Sequence, residues 1–367
     1  MVNSGSSANL VMLAALKDYY QWKDDAEIIV SVVGFPTTIN PVLQNKLKPS
    51  FVDIQWSDLN WNMELVERAI STKTVALFMS PVLGNPGDME LVSGLCKEYN
   101  IALILDGCDS LGSQYNNKYL SDYAVASSCS FYPAHHITTL EGGMVSSNNT
   151  EIIKRARQYA WWGKSCYCKG QQNLLPLGAC GKRFSTWLNT TDTVVDHRYV
   201  FEVQGYNLKP LDLQGAIGLV QLKKFDQIHR LRRRHYSQIK DSLDRLYGVR
   251  VVSEGPDTET SWFGVPIVCD SKELKHKLQQ YLEQKGVQTR NYFAGNLLMH
   301  PAYSELGNFK DYPNATEVLD KVFFLGCSPN LSKDDLKYID NLCNSFHEQN
   351  EVVADGYSVQ YALTSSN

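Results

Sequence analysis

The chain has 367 residues, 43% hydrophobic and 20% charged, which excludes a disordered, coiled-coil or collagen-like protein. Its length favours two domains, or one large domain with an appendage. Lysine and arginine total 35 against 39 aspartates and glutamates, a net charge of −4. The chain therefore lacks the basic excess that would indicate a nucleic-acid or anionic-membrane partner. An anionic substrate would have to be held by local donors.

The chain carries no signal that directs it to a membrane or out of the cell. No apolar run approaches the roughly 18–20 residues of a membrane-spanning helix, and the N-terminus lacks the basic and apolar regions of a signal peptide. The nine cysteines are an odd number. We therefore expect a cytoplasmic protein with reduced thiols, in which clustered cysteines suggest a metal site.

Short apolar runs alternate with helical stretches over the first 150 residues. The predicted strands are 28–33, 51–54, 75–79, 101–106, 125–131 and 143–147. The predicted helices are 10–22, 63–70 and 89–99. Strands separated by helices imply an α/β fold with a mostly parallel sheet covered on both faces.

The rest of the chain predicts a second, smaller unit. A loop-rich stretch at 160–205 leads into a long charged helix over 211–246, and residues 250–347 suit a small α+β domain. The last residues, 348–367, form a polar tail that we expect to pack poorly. The predicted division is therefore a large domain at 1–225 and a small C-terminal domain at 226–347.

Three motifs carry candidate chemistry. Residues 3–9 (NSGSSAN) precede the first helix, where backbone N–H groups and the helix dipole can hold a phosphate, although an ordinary serine N-cap is the alternative. Asp106 ends a buried strand, and such a position faces the ligand crevice of parallel sheets. The alternative is an aspartate that forms a turn. Residues 130–143 combine a serine at a strand end, the pair His135 and His136, and Gly-Gly. Alone, His135 is equally well a core or surface histidine.

In this order the motifs resemble the sugar aminotransferase/dehydratase family of fold-type I pyridoxal-phosphate enzymes, over about residues 3–347. The resemblance implies a mostly parallel seven-stranded sheet. Aminotransferases of the family carry their Schiff-base lysine five residues after the position of Ser130, where this chain has His135. This departure disfavours an aminotransferase and points to the 3-dehydratase branch, which uses free pyridoxamine phosphate and a histidine base. Residues 34–41, 261–264 and 293–296 also resemble that branch.

The resemblance implies a role for each candidate residue. Asp106 would pair with the protonated pyridine nitrogen and keep the ring an electron sink, Asp109 would face the phenolic oxygen, and Phe35 would stack on the ring. The residues expected to bind the cofactor phosphate are Ser6, Ser7, Ser130 and, from the neighbouring subunit of a homodimer, Asn207. The residues expected in the substrate pocket are Tyr132, His136, Arg290 and Phe293. Asn207 as a turn residue and Arg290 as a surface ion pair are the alternatives.

Four cysteines select among the dehydratases. Cys108, Cys166, Cys168 and Cys180 are separated by 57, 1 and 11 residues. They resemble the ligands of a 2Fe–2S cluster in dehydrases of CDP-linked 4-keto-6-deoxyhexoses, within a cluster loop at 160–182. The last gap is longer here, so Cys180 matches least well. The resemblance implies an iron–sulfur flavin reductase as electron donor, and a place in 3,6-dideoxyhexose and lipopolysaccharide O-antigen biosynthesis. Alternatively, the four are ordinary thiols.

Two other interpretations stay open at this point. One is a 3-dehydratase without a cluster that regenerates its cofactor with glutamate. The other is an inactive subunit that pairs with a longer partner, because the segment that precedes the phosphate motif in this branch is missing and Met1 lies two residues before Asn3. The sequence does not identify the nucleotide, the sugar stereochemistry or the reductase.

Overall fold

A six-stranded sheet forms the centre of the protein. The computed structural model describes residues 1–165, 184–185, 188 and 190–364, with side chains described as far as 348. The strands of the central sheet are β1 Glu27–Ser31, β2 Lys48–Val52, β3 Thr74–Met79, β4 Ala102–Asp106, β7 Ala126–Ser130 and β8 Gly143–Ser146. Their order is β2-β1-β3-β4-β7-β8. All pairs are parallel except β7 with β8.

This sheet confirms the α/β fold with a mostly parallel sheet. The six predicted strands are the six observed ones, with ends shifted by up to three residues. The described residues contain six strands in the sheet rather than the expected seven. Beside β8, at the sheet edge, Val2 forms an isolated antiparallel bridge with Gly143.

Helices cover both faces of the sheet. They are α1 Gly5–Tyr20, α2 Pro36–Gln44, α3 Met63–Ala69, α4 Met89–Glu98 and α5 Thr150–Ala160. Alternate residues of β1 point to opposite faces: Ile28 lies in the core cluster that includes Leu13 of α1, whereas Ile29 lies in the cluster that includes Val92 of α4. Burial on both faces explains why these strands read as continuous apolar runs.

A four-stranded antiparallel sheet organises the C-terminal part. Its strands are β11 Val249–Val251, β13 Gly264–Cys269, β14 Thr289–Asn291 and β15 Val322–Gly326, in the order β11-β13-β15-β14. The accompanying helices are α7 Phe225–Leu243, α8 Lys272–Gln284, α9 Pro313–Lys321 and α10 Lys333–Thr364. A separate core cluster fills this part, where Trp262 stacks on Tyr236 with ring centroids 4.0 Å apart. The domain boundary at 225 stays a prediction.

Short elements complete the description. Strands β5 Gln114–Tyr115, β6 Lys118–Tyr119 and β12 Thr258–Glu259 form a small sheet, β9 Phe184–Ser185 pairs with β10 Val195–Asp196, and helix α6 spans Asp212–Leu222. Short 3₁₀ helices occur at Leu120–Asp122, His197–Tyr199, Leu297–Met299, Ser304–Leu306 and Phe309–Asp311. Within the described residues, no helix is both long and apolar enough to cross a membrane.

The structure corrects the prediction of one helix over 211–246. Two helices, α6 and α7, meet at a turn formed by Lys223 and Lys224. Helix α6 has no buried residue, whereas α7 buries Tyr236 and Leu243 in the C-terminal core. The two helices therefore differ in burial, although no helix breaker separates them in the sequence. The tail expected at 348–367 continues as helix α10 to Thr364, and its packing lies outside the described side chains.

Candidate active site

A cavity of about 420 Å³ opens where strand ends of the central sheet meet the N-terminus of α1. Phe35 follows β1, Ser80 follows β3, Asp106 ends β4 and Ser130 ends β7. The carboxyl ends of parallel strands form the usual ligand crevice of such sheets. The C-terminal part closes the cavity with three aromatic residues: Phe263, Tyr292 and Phe293. The sequence motifs therefore converge on one cavity.

The carboxylate of Asp106 is buried, accepts four hydrogen bonds and lines the cavity. Its Oδ2 accepts hydrogen bonds from Asn9 Nδ2 at 2.8 Å and from Thr38 Oγ1 at 2.7 Å. Its Oδ1 accepts from Ser128 Oγ and from the Cys108 N–H, both at 3.3 Å. Four donors from different elements fix a buried negative charge in the cavity wall. The sequence did not reveal these partners, although Thr38 lies within the segment that resembles the dehydratases.

The N-terminus of α1 forms a cradle for an anion. Ser4 caps the helix by accepting from the Ser7 N–H at 3.1 Å, and Ser4, Gly5 and Ser6 line the cavity together with Ser130. A Cβ at Gly5 would lie 2.6 Å from the Ser130 Cβ, so only glycine fits between helix and strand. A helix N-terminus favours a phosphate through its free N–H groups and its dipole.

Ser7 differs from the expectation. Its hydroxyl accepts from Ser4 Oγ at 3.0 Å, and it does not line the cavity. The reason is helical phase, because a residue three positions after the N-cap turns back toward the cap. Ser4 and Gly5, which belong to the same 3–9 motif, take its place at the cavity.

His135 lies in the cavity wall beside an aspartate. Its side chain is 15% exposed, and Nδ1 lies 3.3 Å from Oδ1 of Asp109. The contact is not aligned as a hydrogen bond, since Nδ1 is buried without a hydrogen-bond partner. The Phe263 ring packs on the imidazole with centroids 5.2 Å apart, and the Tyr132 ring lies at 6.1 Å. With Nδ1 directed at Asp109, Nε2 is the nitrogen available for proton transfer in the cavity.

His136 does not belong to the expected substrate pocket. It is 3% exposed, does not line the cavity, and its Nε2 donates to the Ser261 carbonyl at 2.8 Å. Burial, followed by the nearby Arg232 charge, holds the pKa of this imidazole well below its usual range. The neutral ring therefore ties two backbone segments together, and its neighbour His135 is the one that reaches the cavity.

The expected aromatic residues surround the cavity entrance. Phe35 is 54% exposed, its ring centroid lies 6.1 Å from that of Phe293, and both residues line the cavity with Tyr132. An adjoining groove of about 880 Å³ shares these three rings, and the exposed Arg290 lies in this outer groove rather than in the cavity. A ligand that extends from the cavity would pass along aromatic surface toward Arg290.

Asn207 lies outside the cavity of its own chain. It is exposed, forms a backbone bridge with Trp161, and accepts a hydrogen bond from Lys209. Among the described residues that line the cavity, the charged or titratable side chains besides Cys108 are Asp106, Asp109, His135, Tyr132, Tyr292 and Glu141. Lysine and arginine do not occur in that lining, so the described part of the chain offers a bound phosphate only neutral donors and the helix dipole there.

Cys108 is the one expected cluster ligand within the described residues. It lines the cavity, and burial together with the Asp106 charge raises the pKa of its thiol well above the usual range. Cys166, Cys168 and Cys180 lie outside the described residues, and in the part that is described no group of three or more His, Cys, Asp or Glu side chains could hold a metal. The five cysteines outside this set are all buried: Cys96, Cys129, Cys269, Cys327 and Cys343.

Comparisons with known proteins assign the chain to a family. The sequence model of the DegT/DnrJ/EryC1/StrS aminotransferase family matches residues 1–343. The chain is 35% identical to dTDP-4-dehydro-2,6-dideoxy-D-glucose 3-dehydratase of Saccharopolyspora spinosa, over 92% of this chain and 74% of that protein. It is 34% identical to the lipopolysaccharide biosynthesis protein RfbH of Salmonella typhimurium, over 92% and 78%.

A solved structure resembles the whole fold. It is GDP-4-keto-6-deoxymannose-3-dehydratase with a trapped PLP-glutamate geminal diamine, 27% identical, with a TM-score of 0.80 over 93% of this chain and 87% of that chain.

Proposed function

Since the chain belongs to the DegT/DnrJ/EryC1/StrS aminotransferase family, we propose that it is a nucleotide-sugar 3-dehydratase that removes the 3-hydroxyl of a 4-keto-6-deoxyhexose with pyridoxamine phosphate. One observation carries the proposal: the cavity holds a histidine, His135, five residues after Ser130, where transaminases of the family need a lysine. The relatives named for 3-dehydratase activity and for lipopolysaccharide biosynthesis support this function and a role in deoxysugar synthesis.

The residues present fit pyridoxamine phosphate. The α1 N-terminus with Ser6 and Ser130 suits the phosphate, the buried Asp106 suits a cationic ring nitrogen, and Phe35 suits the ring face. The lack of space for a Cβ at Gly5 reflects close packing of α1 against Ser130, which brings the helix N-terminus and the Ser130 hydroxyl to the same place. When bound, the cofactor supplies an amine that condenses with the 4-keto group and a ring that accepts electrons.

His135 performs the proton transfer in this proposal. An imidazole is a suitable general base, and Nε2 of His135 would take up the proton that leaves the 4′ carbon of the bound cofactor. Asp109 stabilises the imidazolium that results, because its carboxylate lies 3.3 Å from Nδ1. Phe263 shields the imidazole from water by packing against its ring.

We also propose that Cys108, Cys166, Cys168 and Cys180 hold a 2Fe–2S cluster, and that a reductase partner supplies its electrons. Two observations support this: the spacing of the four cysteines and the position of Cys108 in the cavity wall. Iron would displace the thiol proton that burial retains on Cys108. The same cysteine spacing is the basis for proposing a CDP-linked sugar as the substrate.

A glutamate-coupled dehydratase without a cluster is the second candidate. It is favoured by the solved structure of GDP-4-keto-6-deoxymannose-3-dehydratase with PLP and glutamate, which the whole chain resembles. The anaerobic absorption spectrum of the purified protein, with iron and sulfide analysis, separates the two. Visible charge-transfer bands with two irons per chain support the cluster. A colourless protein that turns over with glutamate supports the second candidate.

We propose a homodimer, with Asn207 of each chain directed at the other chain's cofactor phosphate. Two observations support it. Asn207 lies outside its own cavity, and helix α6, which is next in the chain, exposes Leu213, Leu219 and Leu222. Leu219 and Leu222, three positions apart, share one face of the helix, and neighbouring exposed apolar side chains suit a protein interface. The described cavity lining offers a phosphate hydroxyl and backbone donors, to which the Asn207 amide of the other chain would add a further neutral donor.

Exchange of the 4′ proton tests the dehydratase proposal without requiring the cluster. The protein is mixed with pyridoxamine phosphate deuterated at the 4′ carbon and with CDP-, GDP- or dTDP-linked 4-keto-6-deoxyhexose, and deuterium loss is followed by mass spectrometry. We expect exchange in the wild type, its loss in His135→Asn, and wild-type exchange in His276→Asn, which changes an exposed histidine on α8. Absence of exchange with all three sugars would refute the proposal.

A further inference from the structure

Arg232 of helix α7 is buried behind the candidate base. It is 5% exposed, and no carboxylate of the described residues forms an ion pair with it. Its guanidinium donates instead to backbone carbonyls in two segments that are far apart in sequence. A buried charge without a carboxylate is costly, so this arrangement needs a reason beyond helix packing.

The two ends of the guanidinium hold the two segments that surround the imidazole of His135. Nη2 donates to the carbonyls of Ala134 and His135, at 3.4 and 3.3 Å. Nη1 donates to the carbonyls of Trp262 and Phe263, both at 3.2 Å. The Phe263 ring packs on the His135 imidazole, so one side chain fixes both the backbone of the base and the ring against it.

We propose that Arg232 is a positioning residue that sets the location of His135 in the active site by clamping these two segments. The proposal deepens the dehydratase function proposed above and rests on it for its kinetic part. Only a planar guanidinium presents two parallel sets of donors at a fixed separation, and an ammonium group at the same place cannot serve both pairs of carbonyls. The clamp therefore requires the guanidinium group, and a positive charge alone at this position would not replace it.

Arg233 provides a matched control. It lies next to Arg232 on α7, is half-buried, and donates to Glu254 and to the Thr260 carbonyl, with no bond to 134 or 135. Arg233→Lys thus removes an equally well-bonded guanidinium from the same helix turn. It tests whether any loss of arginine in α7 gives the same effect.

The kinetic test compares Arg232→Lys with Arg233→Lys. We expect kcat to fall about 100-fold in Arg232→Lys, since a displacement of ~1 Å in a reacting group costs about that much, while KM and the Kd of pyridoxamine phosphate stay within about twofold of wild type. Arg233→Lys should retain kcat. An unchanged kcat in Arg232→Lys, or an equal loss in both variants, would overturn the proposal.

A second readout does not depend on the reaction. Hydrogen–deuterium exchange of the peptides that cover 131–137 and 261–264 should increase in Arg232→Lys and not in Arg233→Lys, and unchanged exchange would overturn the clamp. If the wild type catalyses no reaction, the dehydratase proposal fails while this measurement still decides the clamp. Arg232→Gln serves as the second variant, and failure of both variants to fold would assign Arg232 to stability alone and overturn the positioning role.

Discussion

Replacement of Asp106 by asparagine separates the structural from the cofactor-binding role of this carboxylate. The asparagine oxygen can keep the bonds from Asn9 and Thr38, which are the short pair at 2.8 and 2.7 Å. Its amide nitrogen then faces the Ser128 hydroxyl, which can rotate to accept, and the Cys108 N–H, which cannot. The Cys108 N–H is then a buried donor without an acceptor, and the bonds from Asn9 and Thr38 lose their charged acceptor. Together these changes should destabilise the fold by about 4 kcal/mol.

The same substitution removes the negative charge expected to pair with the ring nitrogen. A hydrogen bond to a charged group contributes about 1.5–3 kcal/mol, so pyridoxamine phosphate should bind about 10- to 100-fold more weakly. Urea denaturation measures the loss of stability, and a fluorescence titration measures the Kd.

Asp53→Asn is the matched control for this experiment. Asp53 is 3% exposed and accepts from the backbone N–H groups of Ile54, Asn314 and Ala315, outside the cavity. It should lose stability by a comparable amount and keep the wild-type Kd. A folded Asp106→Asn protein that binds the cofactor as tightly as wild type would refute the assignment of Asp106 to the ring nitrogen.

His135→Lys should bind pyridoxal phosphate covalently, detected by borohydride reduction and mass mapping; an unmodified lysine in a folded variant that still binds the cofactor contradicts this. Cys108→Ser should abolish visible iron–sulfur absorbance and retain the Kd of pyridoxamine phosphate, and unchanged iron content argues against the cluster. His136→Gln should flatten the pH dependence of stability. Because the folded pKa of His136 lies well below 6.5, its neutral form stabilises the fold above that pH, and this contribution is lost as pH falls, by up to about 1.4 kcal/mol per unit. Urea denaturation at several pH values below 6.5 measures it, and an unchanged slope in the variant excludes His136 as the cause.

The central sheet was predictable because burial on both faces makes each strand a short apolar run. Asp106 and Ser130 were predictable for a related reason, since the last residue of such a strand leaves the core at the crevice. The prediction of one helix over 211–246 was wrong because the chain turns at Lys223 and Lys224, where the sequence shows no helix breaker. Lysine has high helix propensity, and nothing in its local sequence opposes a continuous helix.

The partners within the site were not predictable in the same way. Asn9 and Thr38 reach Asp106 across 97 and 68 residues of sequence, and a single sequence carries no signal for such contacts. His135 and His136 are chemically identical neighbours, and only the folded backbone decides that the second is buried against Ser261.

The exposed leucines of helix α6 have a thermodynamic consequence. Leu213, Leu219 and Leu222 are each more than half exposed in the single chain, and a second copy that covers them would add its binding free energy to the stability of the folded state. The midpoint of unfolding would then rise with protein concentration. Unfolding of this protein is therefore best measured as a dilution series, because a single midpoint would combine the stability of the chain with its association.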